Sequence, residues 1–335
     1  MNPSLLLTLI SRGIGLLLVA LLLVAGGVAL LAFWPFKMIE VKVDARPIVD
    51  HEEAVHLIAE LRKLAPESIR PECRGIVMDH GRKTKDVYVL LHGLTNCPEQ
   101  FREFGEILFQ RGDNVLIQRT PYHGFLEEYE AEQKLLTWAE MLESANFAID
   151  VAHAFGDRIT VVGLSVNGAT TAWFAQTRDD VDRAVVIAPF LAPAGVDQKW
   201  ILPLGRLIYR LPNSLVWWDR NLKEQLQGPS YSYPQFATHP IAHVMRIGLD
   251  VVDRAENEAP KAGKVMMVTS ASDVAVSLEQ AAHLEALWKG KAPDRVSSYQ
   301  FPKEDQIPHD CIDPHQPGAR IDLVYPKLIE LIDGM

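Results

Sequence analysis

From residue 87 to the end of the chain, short apolar runs rich in β-branched residues alternate with stretches of helical periodicity. The runs fall at 87–91, 114–118, 159–162, 183–189, 264–270 and 295–301, and the last helical stretch is 320–332. Strands separated by helices need crossover connections, so the sheet they build is mostly parallel and covered on both faces. The pattern therefore predicts an α/β architecture. With 335 residues, 48% of them hydrophobic, the chain can bury one large core. A net charge of −10 argues against nucleic acid, which needs a basic footprint. The eleven histidines show no H-E-x-x-H or C-x-x-C spacing, and neither metal nor cofactor is expected.

The sharpest signal inside the alternation is "RITVVGLSVNGATTAWFAQ", residues 158–176. A β-branched run meets Gly163-Leu164-Ser165-Val166-Asn167-Gly168 and passes straight into a helix. A strand that turns sharply around a serine can expose the hydroxyl as a nucleophile, on the pattern G-x-S-x-G. Gly163 fits that pattern, but Asn167 occupies the place of the second glycine, and Gly168 comes one residue late. Asparagine tolerates unusual backbone angles better than most residues, and Gly168 still lets the helix approach closely. A serine that merely caps the helix is the competing reading.

Four segments, taken together and in this order, resemble the α/β-hydrolase superfamily, and within it the carboxylesterase and monoacylglycerol-lipase branch. They are "LLHGLTNCPEQF" (90–101), "VVGLSVNG" (161–168), "TSASDVAVS" (269–277) and "PHDCIDP" (308–314). The resemblance covers residue 75 to the C-terminus and implies the chain order Ser, Asp, His for a catalytic triad. It implies Ser165 as nucleophile, His309 as base and Asp273 as the group that fixes the histidine tautomer. It also implies an oxyanion hole built from the backbone amides of Val166 and Leu94. A helix cap alone does not explain why Asp273 and His309 occur where they do.

Rivals for these roles are present. His315 lies six residues beyond His309, His283 falls in a helical stretch, and His239 and His243 belong to the 190–258 region. His92 and His123 stand in glycine-bearing loops and are expected to hold backbone. Asp310 and Asp313 compete with Asp273 by nearness in sequence, but Asp310 adjoins the histidine and points elsewhere.

Residues 13–36, "GIGLLLVALLLVAGGVALLAFWPF", carry no charge. At ~1.5 Å per residue such a helix crosses a hydrocarbon core of ~30 Å. Cleavage near Ala25 would leave "VALLAFWPF" exposed to water, so a retained single-span anchor is expected rather than a signal peptide. Trp34 and Lys37 suit the membrane surface. Arg12 precedes the span while Lys37, Lys42 and Arg46 follow it, a balance that slightly favours a cytoplasmic body, although long domains translocate regardless of charge. The organisation expected is a tail at 1–12, the anchor at 13–36, a linker and amphipathic helix at 37–72, and the hydrolase domain at 73–335.

Within that domain, residues 190–258 break the alternation with aromatic and proline residues. This stretch is additional core packing or a lid over a pocket. Ligands bind beyond the carboxyl ends of parallel strands, which favours the lid. Residues 75–79 and 87–91, joined by "HGRKTKD", read as a β-hairpin. Its register would bring Cys73 near Cys97, so either a bridge between them or three reduced thiols is compatible with the sequence. A bridge requires an oxidising compartment and so a body outside the cytoplasm, periplasmic in a bacterium. The expected activity is cleavage of a carboxylic ester, lipid-like because of the anchor, through an acyl-enzyme on Ser165. An acyltransferase, a thioesterase or a non-catalytic binding protein on the same fold are the alternatives.

Overall fold

The structure is a computed structural model that describes residues 3–34, 43–126, 132–218 and 228–335. Lys37, Lys42, the first part of the 37–72 stretch and residues 219–227 of the insertion lie outside the described residues. The strands are β1 (Ile76–Met78), β2 (Thr84–Leu91), β3 (Asn114–Gln118), β4 (Gly156–Leu164), β5 (Arg183–Ile187), β6 (Leu215–Trp217), β7 (Gln235–Ala237), β8 (Lys264–Ser270) and β9 (Val296–Phe301). The helices are α1 (Pro3–Phe33), α2 (His51–Leu64), α3 (Arg102–Gln110), α4 (Trp138–Ala152), α5 (Val166–Thr177), α6 (Gln198–Arg210), α7 (Thr238–Asn257), α8 (Leu278–Lys291) and α9 (Ile321–Asp333).

Seven strands form one sheet in the order β1-β3-β2-β4-β5-β8-β9, parallel throughout except for β1. Strand β2 shows why the sheet needs two covers. Val87, Val89 and Leu91 face the layer of α4, α5, α7 and α8, while Tyr88 and Leu90 face α3 and α9. Alternate residues point to opposite faces. A central parallel strand must therefore be apolar at consecutive positions.

The hairpin expectation is corrected. β1 pairs antiparallel with β3, Val77 opposite Leu116, and β2 lies on the other side of β3. The intervening segment does not fold back on itself: Asn114 accepts from the His80 amide at 2.8 Å and donates to the Arg82 carbonyl at 2.8 Å. Those bonds carry the chain across β3, which leaves β2 free to enter the centre with both faces buried.

The N-terminal helix begins at Pro3, so the stretch read as a tail is helical; proline at a first turn costs nothing there and apolar residues follow. Its segment Ile14–Phe33 is long and apolar enough to cross a membrane. Residues 43–50 are not a free connection: Ile48 donates to Asp150 at 2.9 Å and Asn146 donates to the Asp44 carbonyl at 3.2 Å, laying the chain along α4. Asp50 then caps α2 through the Glu53 amide at 2.8 Å.

Region 190–258 divides into two parts. Its last helix, α7, is one of the sheet's flanking helices, with Val244, Ile247 and Val251 in the core. Helix α6 packs outside the main core, Ile201 resting on Met245 of α7, while Phe236 of the β6–β7 ribbon packs against the main core.

Candidate active site

The end of β4 and the start of α5 meet at Ser165, whose φ of 61° and ψ of −117° are rare for a residue with a side chain. Two contacts impose this geometry. A Cβ on Gly163 would lie 2.2 Å from the Asn167 carbonyl oxygen, and one on Gly168 would lie 2.6 Å from the Ile187 carbonyl oxygen. The glycine that arrives one residue late is thus the one that lets α5 pass against the end of β5. Asn167 turns the other way. Its Nδ2 donates to the His92 carbonyl at 2.5 Å and to Thr120 Oγ1 at 3.0 Å, inside a buried pocket.

His309 Nε2 lies 2.9 Å from Ser165 Oγ, and His309 Nδ1 lies 2.7 Å from Asp273 Oδ2. The partners fix the tautomer: Nδ1–H donates to the carboxylate, leaving the Nε2 lone pair to accept from the serine hydroxyl. Asp273 is buried after β8, and its other oxygen accepts from the Ala275 amide at 2.8 Å and the Val276 amide at 3.4 Å. Both oxygens of the carboxylate are therefore occupied.

The segment after β2 passes directly beside the serine, since a Cβ on Gly93 would lie 3.9 Å from the Ser165 Cβ. Among the described residues the amides of Leu94 and Val166 have no hydrogen-bond acceptor. The surrounding amides are committed: Gly93 donates to Gln100 Oε1 at 2.8 Å and Asn96 to the Gly93 carbonyl at 3.2 Å. His123 stands 2.6 Å from the Leu94 carbonyl through Nε2 and 2.8 Å from the Pro121 carbonyl through Nδ1. Burial pushes His123 down to about 4, so at physiological pH the ring is neutral and its single N–H donates to one of these two carbonyls. His92 is likewise buried and held well below the usual histidine range, accepting from the Thr120 amide at 3.0 Å.

Cys73 and Cys97 form a disulfide with Cα atoms 5.1 Å apart, while Cys311 is a buried free thiol. The pairing does not come from a β1–β2 hairpin. Single helical turns at Pro71–Cys73 and Pro98–Phe101 bring the two cysteines together, and Gly124 presses close enough that a Cβ there would lie 2.5 Å from the Cys73 Cβ.

The loop that carries His309 has a polar foundation. Asn96 Nδ2 lies 3.1 Å from Asp310 Oδ2 and 3.2 Å from Asp313 Oδ2. Asp313 also accepts from Tyr231 Oη and from the His315 amide, both at 2.9 Å. Burial and the neighbouring Asp313 carboxylate push Asp310 up to about 6.

The rival histidines do not reach Ser165. His315 is largely exposed beside Tyr231, His283 faces Gln198, and His239 lies 2.8 Å from the Leu211 carbonyl. His243 is buried on α7 and held at about 4 by burial.

No family model and no curated protein matches the sequence. Solved structures do. A monoacylglycerol lipase from Paleococcus ferrophilus superposes with a TM-score of 0.59 at 16% identity, over 78% of this chain and 98% of that one. One of the metagenome-derived lipolytic enzymes described as LipS and LipT gives 0.58 at 17% identity, over 80% of this chain and all of that one. A soluble variant of the monoglyceride lipase of Saccharomyces cerevisiae gives 0.58 at 11%, over 78% and 90%. The fold is that of the α/β-hydrolases.

On this α/β-hydrolase fold the structure brings Ser165, Asp273, His309, Leu94 and Val166 to one place. Sequence reasoning overlooked the residues that hold them. Asn96, Gln100, Thr120 and Tyr231 carry no distinctive spacing, and Asp313 was weighed only as a rival to Asp273. The one signal on offer was Asn167 itself, a polar residue where the α/β-hydrolase pattern has glycine.

Proposed function

We propose that the protein is a membrane-anchored serine hydrolase that cleaves lipid-like carboxylic esters. The observation that carries this reading is the continuous Ser165–His309–Asp273 chain, with separations of 2.9 and 2.7 Å.

In this reading His309 Nε2 takes the Ser165 hydroxyl proton as the oxygen attacks the acyl carbon. The amides of Leu94 and Val166 receive the negative charge that develops on the carbonyl oxygen. Asp273 holds the imidazole in register and stabilises the imidazolium. The imidazolium protonates the departing alkoxide, which leaves as the alcohol, and the acyl group stays on Ser165. A water molecule then gives a proton to Nε2 and attacks the ester, releasing the carboxylic acid and restoring the serine.

The apolar span at Ile14–Phe33 supports an anchor, and an anchor makes a substrate that partitions into lipid the best match. Of the 190–258 insertion, α6 and the β6–β7 ribbon are the part suited to act as a lid. The Cys73–Cys97 bridge favours a body outside the cytoplasm.

A fluorophosphonate probe tests the reading directly, because only an activated serine is phosphonylated. Wild type should label, and Ser165→Ala and His309→Ala should not. Labelling that persists in Ser165→Ala overturns the assignment. An ester panel of increasing acyl length, assayed in detergent micelles, then tests the preference for lipid-like substrates.

A further inference from the structure

Helix α6 meets the end of α1 at two distant points. Near its start, the Trp200 ring stands 6.0 Å from that of Phe33. At its other end, Arg210 donates to the carbonyls of Leu31 and Trp34, and Arg206 lies 3.4 Å from the Phe33 carbonyl. Residues 200 and 210 are ~15 Å apart along α6, whereas residues 31 and 34 are ~4.5 Å apart along α1. A helix lying alongside α1 would have its far end ten residues deeper in the span. Both ends of α6 instead meet the last turn, so α6 crosses the axis of α1.

The depth of that crossing follows from α1. Its apolar span, Ile14–Phe33, is 20 residues. At ~1.5 Å per residue this fills a hydrocarbon core of ~30 Å, which puts Phe33 at its boundary. Whatever touches Phe33 shares that level. The composition suits it: Ile201, Leu204 and Ile208 turn inward towards α7, while Trp200 and, just past the end of α6 on the same side, Leu211 remain 50% and 47% exposed. Arg206 and Arg210 cover the last carbonyls of α1, where cations oppose the negative end of the helix dipole. Tryptophan and arginine are residues of the membrane–water boundary.

We infer that α6 lies in the headgroup layer of the bilayer that α1 enters, with Trp200 and Leu211 against lipid. The insertion is then a second membrane-contacting surface. It also reaches the site: Tyr233 donates to the Thr95 carbonyl at 2.7 Å and Tyr231 to Asp313 at 2.9 Å. The seat of α6 on the bilayer and the seat of Leu94 beside Ser165 belong to one connected layer. This inference rests on the anchor reading of α1 but not on the chemistry assigned to Ser165.

The test uses the full chain in lipid nanodiscs whose phospholipids carry bromine near the top of the acyl chain, which quenches nearby tryptophan emission. Trp200→Phe should remove a quenched component from the spectrum, as Trp34→Phe should. Trp288→Phe, in the buried core, should leave the quenched fraction unchanged. Loss of quenching in Trp34→Phe with none in Trp200→Phe overturns the inference while leaving the anchor intact. So does a concentration-dependent dimer in detergent that Trp200→Phe dissolves without affecting quenching, because a second copy would then cover the face. Protein that fails to co-elute with the discs overturns the anchor reading and this inference with it. Fluorophosphonate labelling of the same samples reports separately on the serine.

Discussion

Ser165 Oγ and His309 Nε2 stand 2.9 Å apart, yet the segments that carry them are held by different forces. The elbow is held by exclusion. At Gly163 and Gly168 there is no room for a single methyl group, and backbone packs directly on backbone. The His309 loop is held by hydrogen bonding: Asp310 and Asp313 share Asn96, and Tyr231 and the His315 amide close the cluster. Steric constraint tolerates almost no substitution and leaves a trace in residue type. A polar cluster tolerates changes that preserve donors and acceptors, and its members look ordinary one at a time.

The sharpest way to break this contrast is Gly163→Ala. Its new Cβ would meet the Asn167 carbonyl oxygen at 2.2 Å, an atom of the helix backbone that cannot move aside. Overpacking costs ~1–3 kcal/mol, towards the upper end where backbone is the obstacle, and urea unfolding should show a midpoint lowered accordingly, together with loss of probe labelling. A variant within ~1 kcal/mol of wild type would mean that the elbow has slack and that exclusion does not govern it.

This difference explains what the sequence disclosed. The parallel sheet was legible because its strands are apolar at consecutive positions, as in β2 and β5. The Ser–Asp–His set was legible because each member follows a recognisable strand end. The β1–β2 hairpin was misread because a polar glycine-containing connection looks the same whether the strand returns beside its predecessor or crosses a third strand. What decided between them was Asn114, a long-range partner with no local signature. The Cys73–Cys97 proximity was anticipated from that wrong register, and it arises instead from two single helical turns. The Asn96–Asp310–Asp313–Tyr231 cluster joins three segments far apart in sequence, and no periodicity links them.

Asn167→Gly tests the point where the two modes meet. It restores the residue of the hydrolase pattern to the elbow, so exclusion alone predicts no harm. The hydrogen bonds predict otherwise, because the buried His92 carbonyl and Thr120 hydroxyl both lose their donor. An unsatisfied buried group costs ~1–3 kcal/mol, and glycine at a helical position adds up to ~1 kcal/mol. A fall of ~10–100-fold in kcat/KM on a short ester is expected. Unchanged kinetics would place Asn167 outside the support of the segment that carries Leu94.

Asp310→Asn probes the His309 loop through pH. The folded carboxyl is held at about 6 against an ordinary value of 3.8, so the folded state prefers it protonated. Its cost to the fold is absent at low pH, grows as pH rises from about 4 to 6, and is complete above that. Full ionisation would cost ~3 kcal/mol, but Asp310 keeps an exposed edge and solvent screens part of it, leaving ~1–2 kcal/mol. Asparagine cannot ionise. The variant should match wild type near pH 4 and exceed it in unfolding free energy at pH 8. Lower stability at pH 8 would mean that the ionised carboxylate is needed by its donors.

Tyr231→Phe is the gentlest change and separates local support from support across segments. The ring stays and packing is conserved, and only the hydroxyl that donates to Asp313 Oδ1 at 2.9 Å is removed. That oxygen keeps the His315 amide, also at 2.9 Å, so it is not orphaned and the expected loss of stability is ~1 kcal/mol. If the insertion merely rests on the His309 loop, kcat and KM should both stay close to wild type. If Tyr231 helps set the position of the loop that carries His309, kcat should fall several-fold while KM on a short soluble ester holds, because a group mispositioned for proton transfer weakens the transition state more than the ground state. The polar description of the His309 loop requires the second outcome. Equal parameters for Tyr231→Phe and wild type would confine that loop's support to Asn96 and the acid pair.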